Sequence, residues 1–145
     1  MQWKPEYFIG IKEIDDQHED LIAQFSNVEK FVTARRNRGQ THYALVELAQ
    51  VARRHFDFEE ALMRLFGIPG AEKHKTDHEY FFIKMAEIEQ HSLRASTDTE
   101  MIRFLHAWLR DHILAADRQD YAEFILGVAP VVKSKMPTSL PENAI

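Results

Sequence analysis

The sequence contains no cysteine, which excludes disulfides, thiolate metal sites, iron–sulfur clusters and a cysteine nucleophile. It also lacks a basic field. A net charge of −5 and a pI near 5.9 offer nothing to attract nucleic acid or an anionic membrane surface, and neither partner is expected. No apolar run approaches the roughly 18 residues that a membrane span needs. The N-terminal stretch MQWKPEYFIGIKEIDDQH has none of the charged-then-apolar layout of a signal peptide, so a soluble cytoplasmic protein is the expectation. What is present is a chain of 145 residues, 45% hydrophobic and 28% charged, which fits one globular domain with a real core. Eight histidines are the compositional oddity.

Hydrophobic periodicity divides the chain into helices. Residues 1–13 carry Trp3, Pro5, Tyr7, Phe8, Ile9 and Gly10, too broken for a helix, and read as an extended arm packed on the body. Ile14, His18, Leu21, Phe25, Val28 and Val32 then share one helical face, with Asp15 or Asp16 available as N-cap and the cationic RRNRG segment closing the helix. A second helix is expected from a Thr41 cap to Phe66, with Leu45, Leu48, Ala52, His55, Glu59, Leu62 and Phe66 along one seam, ended by Gly67 and Pro69-Gly70. The third carries His74, His78, Phe81, Met85 and Ile88. The fourth begins at the Thr97/Glu100 capping box and shows Ile102, Leu105, Leu109 and His112. Past His112 the apolar stripe resumes through Tyr121, Phe124 and Val128, in step with Asp117 instead of Ala116. Asp117 lies five positions after His112, and on an ideal helix that leaves them about 140° apart. The spacing therefore predicts a π-bulge between them. Pro130 ends the helix, and residues 131–145 form a tail expected to be mobile. The fold class is all-α, an antiparallel up-down-up-down four-helix bundle over residues 1–130 with an extended N-terminal arm.

The seams carry chemistry where they should carry hydrocarbon. His18, His55, His74, His78 and His112 all fall on core faces together with Glu59 and Asp117, while His42, His91 and His106 lie off them. Any one buried histidine has an ordinary structural explanation. So many imidazoles and carboxylates converging without a cation would accumulate desolvation costs that a domain stable by about 5–15 kcal/mol cannot carry. A metal site follows. With both carboxylates bridging two octahedral ions and sharing one further oxygen, eleven of about twelve coordination positions are filled and one stays open. The ligand chemistry suits iron, manganese or zinc alike. Neither the E-x-x-H pairs of ferritin-like di-iron proteins nor the zinc-protease H-E-x-x-H occurs.

Four segments carry a resemblance: GIKEIDDQH at 10–18, HFDFEE at 55–60, HKTDHEYF at 74–81 and WLRDHILAADRQDY at 108–121. In these the sequence resembles the hemerythrins, most closely the single-domain bacterial ones, over nearly everything but the last fifteen or so residues. The resemblance implies two irons, one held by His74, His78 and His112, the other by His18 and His55, bridged by Glu59, Asp117 and an oxo or hydroxo group. It also implies an apolar oxygen pocket formed by Leu21, Phe56, Trp108, Leu109 and Ile113. The implied function is reversible dioxygen binding for storage, transport or delivery at the open position of the two-histidine iron, with no catalytic residues. The protein would act as a carrier and not an enzyme, as a monomer, with any protein recipient unknown. The alternatives are a sensor of oxygen or redox state acting through a partner, and an enzyme of peroxide, nitric oxide or iron handling.

Overall fold

A computed structural model describes residues 2–34, 38–91 and 97–117 and the positions 124, 125 and 127. Four helices account for most of it: α1 Lys12–Thr33, α2 Arg38–Phe66, α3 Ala71–His91 and α4 Thr97–Trp108, the last continuing as a π-helical segment Leu109–Ala116. Each helix packs on its neighbour in sequence, and α4 closes back on α1. Short connections between consecutive helices force antiparallel neighbours, which gives the up-down-up-down bundle. Among the described residues there is no strand, and no helix is long and apolar enough to cross a membrane.

The seams of α1 and α3 are buried throughout, from Ile14 to Val32 and from His74 to Ile88. Two seams are displaced by one position. In α2 the fully buried residue near the C-terminus is Met63, whereas Leu62 and Phe66 are half-buried. In α4, Met101 is buried and Ile102 half-buried. One residue is about 100° on a helix, so adjacent apolar side chains compete for the same inward direction and packing decides. α2 also begins at Arg38, three residues ahead of Thr41. It ends where Gly67, at φ +62°, leaves the right-handed helical region, and Gly70, at φ +86°, completes the turn into α3.

The arm is tied down by a side chain expected to play another part. It holds a short 3₁₀ turn, Pro5–Tyr7, and packs Trp3 and Tyr7 against the core and Ile9 into it. Asp15 caps nothing. α1 starts at Lys12 with no side-chain cap on its first turn, and the buried Asp15 carboxylate instead accepts the amides of Ile9 at 2.8 Å and Gly10 at 3.1 Å. Gly10, at φ +94°, makes the bend that presents both amides.

The extra residue after His112 is absorbed as the spacing predicts. Leu109–Ala116 is π-helical, and the Asp117 amide donates to the His112 carbonyl, five residues back. Beyond it the apolar stripe differs from expectation. Phe124 is 40% exposed, and Ile125 is the residue that packs inward, against Ile9, Ile14, Met63 and Ile68. Tyr121, Val128, Pro130 and the tail lie outside the described residues.

Two apolar clusters share the bundle. The larger runs from Leu21 to Val32 on α1, with Ala52 and Phe56 of α2, Phe81 to Ile88 of α3 and Met101 to Ile113 of the last helix. The smaller is Ile9, Ile14, Met63 and Ile68. Along α1, His18 separates Ile14 of one cluster from Leu21 of the other; along α2, Glu59 separates Met63 from Phe56. The ionisable residues thus form a layer sealed by hydrocarbon at both ends.

Candidate metal centre

The helical repeat stacks this layer. His55 and Glu59, like His74 and His78, lie one turn apart and therefore on the same face. The π segment brings Asp117 inward beside His112, where an unbroken α-helix would have turned it away. All seven predicted residues come together. His18, Glu59, His74 and Asp117 are fully buried, and His55, His78 and His112 nearly so.

The two carboxylates divide their oxygens between two groups of imidazoles. Glu59 Oε1 lies 3.2 Å from His55 Nε2 and 3.9 Å from His18 Nε2. Its Oε2 lies 3.2 Å from His78 Nε2 and 3.6 Å from His74 Nε2. Asp117 does the same: Oδ2 is 3.1 Å from His18 Nε2, while Oδ1 is 3.2 Å from His112 Nε2 and 3.4 Å from His74 Nε2. Two ligand sets result, each with its donor atoms within 4.8 Å of one another: His18, His55, Glu59 and Asp117 in one, Glu59, His74, His78 and His112 in the other.

The protonation states suit a cation. Burial holds His18, His55 and His112 below the usual histidine value, with His55 near 3, so these rings are neutral at ordinary pH. Burial pushes the Glu59 carboxyl up, but the facing histidines, His55 foremost, outweigh it and bring the group well below its usual value. Neutral imidazole and ionised carboxylate are the ligand forms that metals take.

Outside the ring of donors, two side chains fix how the imidazoles face. His55 Nδ1 donates to Gln17 Oε1 at 3.0 Å, and His78 Nδ1 to Glu60 Oε1 at 3.1 Å. The His55 ring is neutral and carries one proton, so its Nε2 is left as a bare lone pair. That lone pair faces a Glu59 oxygen 3.2 Å away, acceptor against acceptor, and His78 Nε2 stands at the same distance from the other Glu59 oxygen. His78 Nε2 also stands 3.0 Å from His112 Nε2. Both ring nitrogens of the buried His18 make no hydrogen bond. A cation between such groups removes the conflict, and the donor set fits one.

The walls are apolar and aromatic. Phe56 stacks on His78 at 3.9 Å between centroids and 5° between planes, and lies 5.7 Å from His55. Trp108 stacks on His112 at 4.4 Å. Leu21, Phe56, Trp108, Leu109 and Ile113, the five predicted pocket residues, are all buried in the larger cluster. Two of the remaining histidines are surface residues, each with a carboxylate partner: His42 with Glu89 and His106 with Glu29 at 3.3 Å. The side chain of His91 lies outside the described residues. The pattern along the chain did not identify Gln17 and Glu60, although each adjoins a predicted ligand, Gln17 before His18 and Glu60 after Glu59.

Known proteins similar in sequence to this chain fall into one family. The family model described as Hemerythrin HHE cation binding domain matches residues 9–124. A bacteriohemerythrin of Stenotrophomonas maltophilia is 31% identical over 122 residues, covering 83% of this chain and 78% of the relative. One from Clostridium acetobutylicum is 29% identical over 126 residues, covering 81% and 95%. The myohemerythrin of Sipunculus nudus is 26% identical over 115 residues, covering 79% and 86%.

Proposed function

The chain belongs to the hemerythrin family, and on that premise we propose that it binds dioxygen reversibly at a non-haem di-iron centre, as a store or carrier and not as an enzyme. The observation that carries this is the division of Glu59 and Asp117, each oxygen of each carboxylate turned to a different histidine group in a sealed layer. His18 and His55 would hold one iron and His74, His78 and His112 the other, with Glu59 and Asp117 shared between them. Two irons so held would supply the electrons for reversible dioxygen binding on the two-histidine side.

The side chains do the rest. Glu59 and Asp117 would offset the charge of buried cations, which would in turn hold both carboxylates ionised in a dry layer. Gln17 and Glu60 orient His55 and His78. Leu21, Phe56, Leu109 and Ile113 offer no ionisable group, and with Trp108 they exclude water. With no ionisable side chain among these five, proton delivery would be slow, which would favour release as dioxygen.

The test is metal analysis and an absorption spectrum on the full chain loaded anaerobically with Fe(II). About two irons per chain are expected, with an oxygenated spectrum that appears in air and vanishes under argon over repeated cycles. Irreversible oxidation on first exposure, with peroxide released, would replace the carrier by an enzyme. A sensor role is the second reading, favoured by the Asp15 tie that joins the arm to α1 one turn before His18. It requires arm amides whose hydrogen exchange differs between the oxygenated and deoxygenated forms; arm exchange identical in the two would eliminate it.

A further inference from the structure

The two histidine groups are not backed alike. Behind the three-histidine group stands a carboxylate, Glu60, whose Oε1 accepts the His78 Nδ1 proton at 3.1 Å; its side chain is only 15% exposed, so solvent screens it little. Behind the two-histidine group stands a neutral carboxamide, Gln17, on His55 Nδ1 at 3.0 Å. The other member of that group, His18, is fully buried with no hydrogen bond at Nδ1. Asp15 lies near His18, but its two oxygens are taken by the Ile9 and Gly10 amides.

A carboxylate on the far nitrogen of an imidazole pulls on its proton and makes the near nitrogen a stronger donor than a carboxamide does. It also fixes the ring more firmly. The stacked Phe56 adds to that by clamping the His78 plane. His18 has no acceptor at Nδ1 to set its tautomer, and the Asp15 carboxylate near it is engaged by the arm amides.

We propose that Glu60 and Gln17 are positioning residues that make the centre unequal, the Glu60-backed three-histidine position holding its metal tightly and the Gln17-backed two-histidine position holding it weakly. The inference rests on the two-metal reading of the centre. Metal is taken up first at the three-histidine position and lost last from it. The position assigned to dioxygen is then also the one whose metal exchanges, and it is the entry point for repair after loss of an ion.

The full chain loaded with two equivalents of Co2+, read by visible absorption and metal analysis, is challenged with increasing EDTA. The ions should leave in two resolved steps. Glu60→Gln, which keeps an acceptor and removes the charge, should move the second step to about 10- to 100-fold lower chelator and leave the first within a few-fold. Gln17→Glu should move the first step the opposite way. Both ions lost together in the natural chain, or both steps shifted equally by Glu60→Gln, overturns the inference while the two-metal centre stands. A chain that takes up fewer than two Co2+ overturns both. Circular dichroism of each loaded variant matching the natural chain separates these outcomes from misfolding.

Discussion

Glu59→Ala is expected to lower bound metal from about two ions per chain to well below one, measured after Fe(II) loading and desalting. Glu59 is common to both ligand sets, so its removal takes an anionic oxygen from each. It also leaves His55 Nε2 and His78 Nε2, each 3.2 Å from a Glu59 oxygen, without a negative neighbour there to offset a cation. Removing a single ligand such as His55 should damage chiefly one position; removing a shared one damages two. His42→Ala is the control. That side chain is exposed and paired with Glu89, far along α2 from the layer, and its loss should leave metal content unchanged. Two ions retained by Glu59→Ala would refute the bridging role.

Acid should unfold the metal-free chain well above the pH at which its surface carboxylates protonate. His18, His55 and His112 lie below the ordinary value of 6.5 in the folded chain because burial disfavours their charged form, and His55 lies near 3. Unfolded, they accept protons near 6.5; folded, they do not. Their contribution is therefore complete above pH 6.5 and is lost as pH falls, at about 1.4 kcal/mol per pH unit for each group. For His55 the window runs from 6.5 to about 3, so that residue alone contributes up to roughly 5 kcal/mol, comparable with the whole stability of a small domain. Glu59, held below 4.5, adds in the same direction once pH drops under that value. Urea denaturation between pH 7.5 and 4.5 measures the slope, and a flat profile would contradict buried neutral histidines. The metal-loaded chain should be more stable at neutral pH and converge on the metal-free one in acid, where protons displace the ions.

Most of the bundle was legible because burial on a helix recurs with a fixed period. The same regularity exposed its exception: His112 and Asp117, five positions apart, could not both face inward on an α-helix, and the π segment is the result. Legibility failed where two side chains compete for one direction, as with Leu62 and Met63 or Ile102 and Met101. It failed again at Asp15, since an aspartate near a helix start serves a cap or a neighbouring loop equally well, and only the fold of the arm decides. Phe124 and Ile125 show the limit of extending a stripe past an irregular turn. Gln17 and Glu60 were beyond reach for another reason. A helical period tells which side of a helix is inward but not which ring nitrogen on another helix a flanking side chain will meet.

The stack of Trp108 on His112 at 4.4 Å gives the protein an optical gauge of its own state. The chain has two tryptophans, and the other, Trp3, sits on the arm, against Tyr7 and Phe8. On the proposed assignment of His112 to a metal, an indole in face contact with that imidazole loses excited-state energy to an open-shell ion. On that assignment, emission from Trp108 follows occupancy of the three-histidine position. Filling and emptying of that position can be followed by ultraviolet emission with no label added.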